Sequence, residues 1–175
     1  MPNYRRIWIP GGTYFFTVAI ADRESNLLVD HIHDLREAFR AVRSVRPFTV
    51  DAIVVLPDHI HAIWTLPSGD ADYATRWSHI KAEFSRALPA HERATASRRR
   101  KRERGIWQRR YWARAIVDEN DFAAHVDYVH INPVKHGLVA RCSEWTWSSF
   151  HRFVRDEVLE ESWGSTSLLP PFGRG

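Results

Sequence analysis

Phe48-Thr49-Val50-Asp51-Ala52-Ile53-Val54-Val55-Leu56-Pro57-Asp58-His59-Ile60-His61-Ala62-Ile63-Trp64-Thr65-Leu66 is two β-rich runs separated by a Pro-Asp dipeptide. Each run has the length of one strand, and a two-residue connection makes the pair an antiparallel hairpin. Alternation along the second run sends His59 and His61 to one face and Ile60, Ala62 and Trp64 to the other.

The elements around this hairpin follow from periodicity. Thr13 to Ala21 is β-rich and preceded by Gly11-Gly12, so it reads as a strand. From Asp30 to Arg46, Leu35, Phe39 and Val42 recur at helical spacing with Ala38 and Val45, opposite Arg36, Arg40 and Arg43, and Pro47 stops the helix. Asp70 to Leu88, with Trp77, Ile80, Ala82 and Phe84, is a second helix ended by Pro89. Gly105 to Val117 suits a strand or hairpin arm. Asp118 followed by Asp121 resembles a capping box for a helix running to about Asn132, since Pro133 disfavours helical geometry at the residue before it. Trp145 to Phe153 suits a short helix, and the Gly, Ser and Pro content after Glu157 marks a loosely held end. Strand, helix, strand, strand, helix, strand, helix is an α+β order, and its simplest arrangement is an antiparallel sheet with packed helices of ferredoxin-like or RRM-like type. One domain is expected over 1–155, with a tail over 156–175.

Composition narrows the class. With 175 residues, 44% of them hydrophobic, and every apolar run broken by charge, Pro or Gly, disorder and a membrane span are excluded as descriptions of the chain. The first residues lack the apolar stretch of a secretory signal, and Cys142 has no second cysteine to pair with, so a reducing cytoplasm is expected. The formal charge of +4 is unevenly spread: residues 98–114 hold nine Lys or Arg and one Glu, so the whole surplus sits there. Trp107, Tyr111 and Trp112 interleave with Arg109, Arg110 and Arg114, a pattern in which rings stack on bases while arginines hold phosphates. The bare run Arg98 to Arg104 is explained equally well as a solvated loop.

Two constellations could carry chemistry. The first is His59 and His61, two neutral nitrogen donors on one strand face, within reach of one divalent metal. A lone His-x-His pair is more often structural, and His31-Ile32-His33 has the same spacing at a polar helix start, where it reads as surface. The second is Tyr128 and Asn132, which share a helix face about 40° apart, beside the stripe of Phe122, Val126 and Val129, with His125 about 60° to the other side. A tyrosine phenol is a poor nucleophile near neutral pH, and a metal polarising a phosphate reduces the activation it needs. His59, His61 and an Asn132 oxygen would make three protein ligands, with positions open for phosphate and water. Lys135 and His136 follow on the same segment and could touch a phosphate, although an exposed loop explains them equally well. Cys142 reads as a small packing residue.

Pro57-Asp58-His59-Ile60-His61-Ala62-Ile63-Trp64, followed by Tyr128-Val129-His130-Ile131-Asn132-Pro133-Val134-Lys135-His136-Gly137-Leu138-Val139, resembles the HUH single-tyrosine transposases. Within them it looks like the REP-associated tyrosine transposases of bacteria. Asn3-Tyr4-Arg5-Arg6, Gly11 to Thr17, Arg46-Pro47-Phe48, Ile106-Trp107-Gln108 and Trp145 to His151 match in the same order, so the resemblance spans residues 3 to about 153. It implies an HUH endonuclease fold, with His59, His61 and Asn132 binding Mg²⁺ or Mn²⁺. Tyr128 would attack single-stranded DNA and leave a 5′-phosphotyrosine and a free 3′-hydroxyl. The substrate implied is the imperfect hairpin of a repetitive extragenic palindrome, contacted by Asn3, Tyr4, Arg5, Arg6 and the basic region. The resemblance favours a monomer, with a dimer as the alternative, and implies residence in the bacterial cytoplasm at the nucleoid. Arg98 to Arg104 departs from the family pattern as a longer basic insert. Two rival readings remain: a non-catalytic RRM-like module that only binds single strands, and a zinc hydrolase built on the histidine pair with a water nucleophile.

Overall fold

A computed structural model describes residues 8–89 and 105–165. Four strands form one sheet: β1 (Thr13–Ala19), β2 (Thr49–Val55), β3 (His59–Thr65) and β4 (Trp112–Ala115). Their order is β2-β3-β1-β4, with all neighbours antiparallel. The helices are α1 (Leu27–Asp30), α2 (Ile32–Val45), α3 (Tyr73–Ala87), α4 (Glu119–Lys135) and α5 (Phe150–Arg155), with a 3₁₀ turn at Cys142–Glu144. Strand, α2, two strands, α3, strand is the βαββαβ order of the ferredoxin-like family, so the expected α+β architecture is the one observed.

The hairpin is as read: Val55 pairs with Ile60, and Leu56 N–H donates to the His59 carbonyl at 2.8 Å around Pro57-Asp58. The carbonyls of those two turn residues accept from Leu28 and Ile20, which ties the turn to the end of β1 and to α1. One sheet face packs on α2 and α3, where Phe16, Ile60, Ala62, Trp64, Trp77 and Phe84 form a dry core. The other face carries α4, with Phe15, Val54 and Ile63 against Val126 and Val129. The edge of β2 is covered by the segment before α5: Val55 N–H donates to the Trp147 carbonyl and Ser149 N–H to the Ile53 carbonyl. That pairing removes an open edge.

Three expectations are corrected. The strand expected over 105–117 is confined to Trp112–Ala115, with Trp107 only bridging Ile20. Trp107 and Tyr111 do not line the surface but pack on the core, with the Lys81 ammonium 5.6 and 5.0 Å from their ring centres. The helix expected to stop near Asn132 runs through Pro133 to Lys135. Proline there forfeits a single bond to the Val129 carbonyl, and the end is closed by a left-handed Gly137 at φ 69°. Gly137 N–H donates to the Val134 carbonyl and Leu138 N–H to the Pro133 carbonyl, which satisfies carbonyls the last turn would leave open. Among the described residues no helix is long and apolar enough to cross a membrane. Arg98 to Arg104, and Asn3 to Arg6, lie outside the described residues.

Candidate active site

β3 is buried on both faces, and His59 and His61 point to the α4 side with only 5% and 4% of their surface exposed. Their rings lie 4.8 Å apart, nearly perpendicular. His61 Nδ1 is 2.9 Å from Thr17 Oγ1 on the neighbouring strand, and His59 Nδ1 donates to Asp58 Oδ1 at 2.7 Å. Asp58 is held in turn by Arg23 at 2.7 Å. With each Nδ1 engaged, Nε2 is the nitrogen both rings keep for a ligand. Burial is the first cause that lowers both histidines, taking His61 down to about 3, with the charges of His59, His136 and Lys135 adding to it. Both are neutral at pH 7 and hold lone pairs.

The third donor comes from α4. Asp118 caps that helix by accepting from Asp121 N–H at 2.8 Å, which sets its start and therefore the phase of every side chain along it. Asn132 is fully buried, and its Nδ2 donates to the Tyr128 carbonyl one turn back. Its Oδ1 is buried with no hydrogen-bond partner among the described residues. The amide lies near enough to His61 to favour the protonated ring, the weakest of the influences on it. An orphaned amide oxygen beside the His61 imidazole is costly unless something fills it, and with His59 in contact with His61 this N,N,O set suits a divalent cation. No group of three His, Cys, Asp or Glu side chains among the described residues forms an alternative cluster.

Tyr128 sits at the rim, 38% exposed, its ring 5.2 Å from that of His61 and edge-on to Phe15 at 5.7 Å. Lys135 Nζ lies 5.1 Å from the tyrosine ring centre. The His136 ring is 5.1 Å from His59, so this residue borders the histidine pair instead of standing apart in a loop. A phenol, two imidazoles, a buried amide and an ammonium therefore lie together on one side of the sheet.

The expected polyanion contacts divide. Arg109 and Arg110 are exposed on the approach to β4. Arg114 is on β4 facing α4 and is paired with Asp121 at 3.1 Å. Sequence reasoning missed Thr17 and Asp58, which orient the two rings. The adjacency of Asp58 to His59 was a readable signal; that of Thr17, across 44 residues, was not.

No family model matches the chain. It is 44% identical to the REP-associated tyrosine transposase of Escherichia coli K12 over 163 residues, which is 93% of this chain and 91% of that protein. It is 46% identical over 170 residues to a Haemophilus influenzae protein assigned to the same family, 97% of each chain. Among solved structures, a REP-associated tyrosine transposase bound to a REP hairpin matches with a TM-score of 0.81 at 41% identity, covering all of this chain and 98% of that one.

Proposed function

We propose that this chain, which belongs to the REP-associated tyrosine transposases, cuts and rejoins single-stranded DNA at hairpins of the repetitive extragenic palindrome type, with Tyr128 as nucleophile. The observation that carries this reading is the half-exposed Tyr128 ring standing 5.2 Å from His61, over a buried donor set completed by the unpartnered Asn132 oxygen. The hairpin substrate is supported by the related structure, whose protein is bound to a REP hairpin.

His59 Nε2, His61 Nε2 and Asn132 Oδ1 would hold Mg²⁺ or Mn²⁺. When bound, such an ion polarises a phosphate oxygen and offsets the charge that builds on phosphorus. Tyr128 Oη forms the new bond to phosphorus while the bond to the 3′ oxygen breaks. The phenol proton passes to solvent, and the departing 3′ oxygen takes one up as a hydroxyl. The DNA 3′ of the cut stays joined to the protein through a 5′-phosphotyrosine. Attack by a 3′-hydroxyl reverses the exchange, one phosphodiester for another, with no external energy source. Lys135, whose ammonium lies 5.1 Å from the tyrosine ring centre, would draw in and offset the charge of the incoming phosphate. Asp58 and Thr17 hold the Nδ1 side of each ring, which would leave both Nε2 atoms for the ion.

The test is a denaturing gel of wild type and Tyr128→Phe with labelled hairpin oligonucleotides and Mg²⁺, Mn²⁺ or chelator. A metal-dependent protein–DNA adduct is expected, reduced at least about 10³-fold in Tyr128→Phe and lost in His61→Ala. Binding without cleavage would favour a non-catalytic module, and cleavage that survives Tyr128→Phe would point to a water nucleophile.

A further inference from the structure

A cleft of about 390 Å³ opens beside Tyr128 on the β1–β4 side of the site, lined by Phe15, Thr17, Trp112, Ala124, His125 and Tyr128. Its size lies at the small end of the range for ligand pockets. Its origin is topological. The apolar stripe of α4 covers β2 and β3, so the helix-side face of β4, at the far edge of the sheet, is less covered. On β4, Ala113 and Ala115 point into the α2–α3 core, while Trp112 and Arg114 point to the α4 side.

Trp112 is 50% exposed, whereas Trp107 and Tyr111, close to it in sequence, are packed on the core. An indole at a sheet edge that contributes half its surface to water is placed for something other than the core. It lies directly opposite Thr17 across the strand pair. The Thr17 hydroxyl is the group that meets His61 Nδ1, so an occupant of the cleft would stand one hydrogen bond from a proposed metal ligand. At the back, His125 Nδ1 approaches the Asp121 carbonyl at 2.8 Å and a carboxylate oxygen of the same residue at 3.1 Å. Both partners are acceptors, so Nδ1 carries a proton and donates, which fixes the ring against α4. Aromatic rings with a hydroxyl and an imidazole among them, and the exposed Arg109 and Arg110 shortly before Trp112 in the chain, match one chemistry: a planar heterocycle with polar edges, carried on a phosphate backbone.

We propose that this cleft holds the nucleobase flanking the scissile phosphate, stacked on Trp112, and that Trp112 thereby sets the register in which the phosphate meets Tyr128. This rests on the strand-transfer reading above and adds to it a subsite for one base.

The test uses the full-length Tyr128→Phe protein, which leaves DNA intact, and a hairpin oligonucleotide that wild type cleaves. 2-Aminopurine replaces a base on either side of the cut or, as control, far from it. Quenching on binding is expected at a flanking position and not at the distant one. It should disappear when Trp112→Ala is added and persist with Trp112→Phe. In proteins with Tyr128 intact, Trp112→Ala should raise KM about tenfold with a smaller effect on kcat, and Trp112→Phe should restore most of it. Quenching at neither flanking position, or quenching indifferent to Trp112→Ala, would overturn the subsite while leaving the tyrosine chemistry standing. If wild type forms no adduct with any hairpin, the parent reading falls and this one with it.

Discussion

The two faces of β3 are built from alternate residues of one seven-residue strand and are opposites in character. Toward α2 and α3, Ile60, Ala62 and Trp64 are fully buried, and Trp64 stacks on Trp77 at 4.2 Å and 17°. Toward α4, His59 and His61 are nearly as buried, yet their neighbours are Thr17, Asp58, Asn132 and a rim tyrosine. The first face is carbon-rich, with only the indole N–H groups of Trp64 and Trp77 buried without a partner, and its burial stabilises; the second spends stability to bury two imidazoles and an amide whose oxygen has no partner among the described residues. Two helices pack on the apolar face and leave a cleft between α2 and the β2 edge, while a single helix covers the other face and leaves a cleft at the β4 side. A strand can thus hold a stable domain and a reactive site together because its side chains alternate.

That contrast can be broken from either side. The largest effect is expected from Trp64→Ala on the apolar face, which removes an indole from between Trp77 and Phe48. It should lower the unfolding free energy by about 3–5 kcal/mol while leaving adduct yield per folded molecule unchanged, checked by urea denaturation alongside the cleavage gel. Lost chemistry in the folded fraction would mean that the two faces are coupled. A smaller effect is expected from Asp58→Asn on the polar face. Replacing the carboxylate that orients His59 should weaken Mn²⁺ binding about 10–100-fold, read by titration, with little change in the metal-free unfolding midpoint.

The smallest concerns His130, a buried member of α4 that faces away from the site. Its Nε2 meets Ser149 Oγ at 2.8 Å, and the same hydroxyl accepts from Ile53 N–H on the β2 edge. Burial, assisted by the charges of Arg152 and His151, lowers its pKa to about 4. Unfolded chain takes up the proton near 6.5 and folded chain does not until about 4. The contribution is therefore complete above pH 6.5 and lost as pH falls from there toward 4. Comparing unfolding midpoints at pH 7.5 and 5.5, wild type should lose on the order of 1 kcal/mol more than His130→Gln. Equal losses would show that His130 is not held neutral by the fold.

Much of this was legible beforehand. Pro57-Asp58 between two β-rich runs announced the hairpin, and the spacing of Leu35, Phe39 and Val42 announced α2, because both signals are local and periodic. His59 and His61 were assigned to one face by the same rule. The continuation of α4 past Pro133 was not legible, since a proline in a last turn costs only one bond and Gly137 closes the end behind it. Nor was the inward packing of Trp107 and Tyr111, because an aromatic beside arginines reads the same in a core as on a nucleic-acid surface.

By itself the sequence determined the order of the elements, the alternation that separates a histidine face from a tryptophan face, and the ordered motifs shared with a transposase family. Tertiary structure alone decided that Thr17 meets His61, that Asn132 is buried with an oxygen to spare, that Arg114 is tied to Asp121, and that of Trp107, Tyr111 and Trp112 the last is the one left exposed. The physical reason is separation along the chain. Periodicity is set by a residue's nearest neighbours, whereas strand register and the seat of α4 on the sheet depend on the summed packing of residues far apart in sequence.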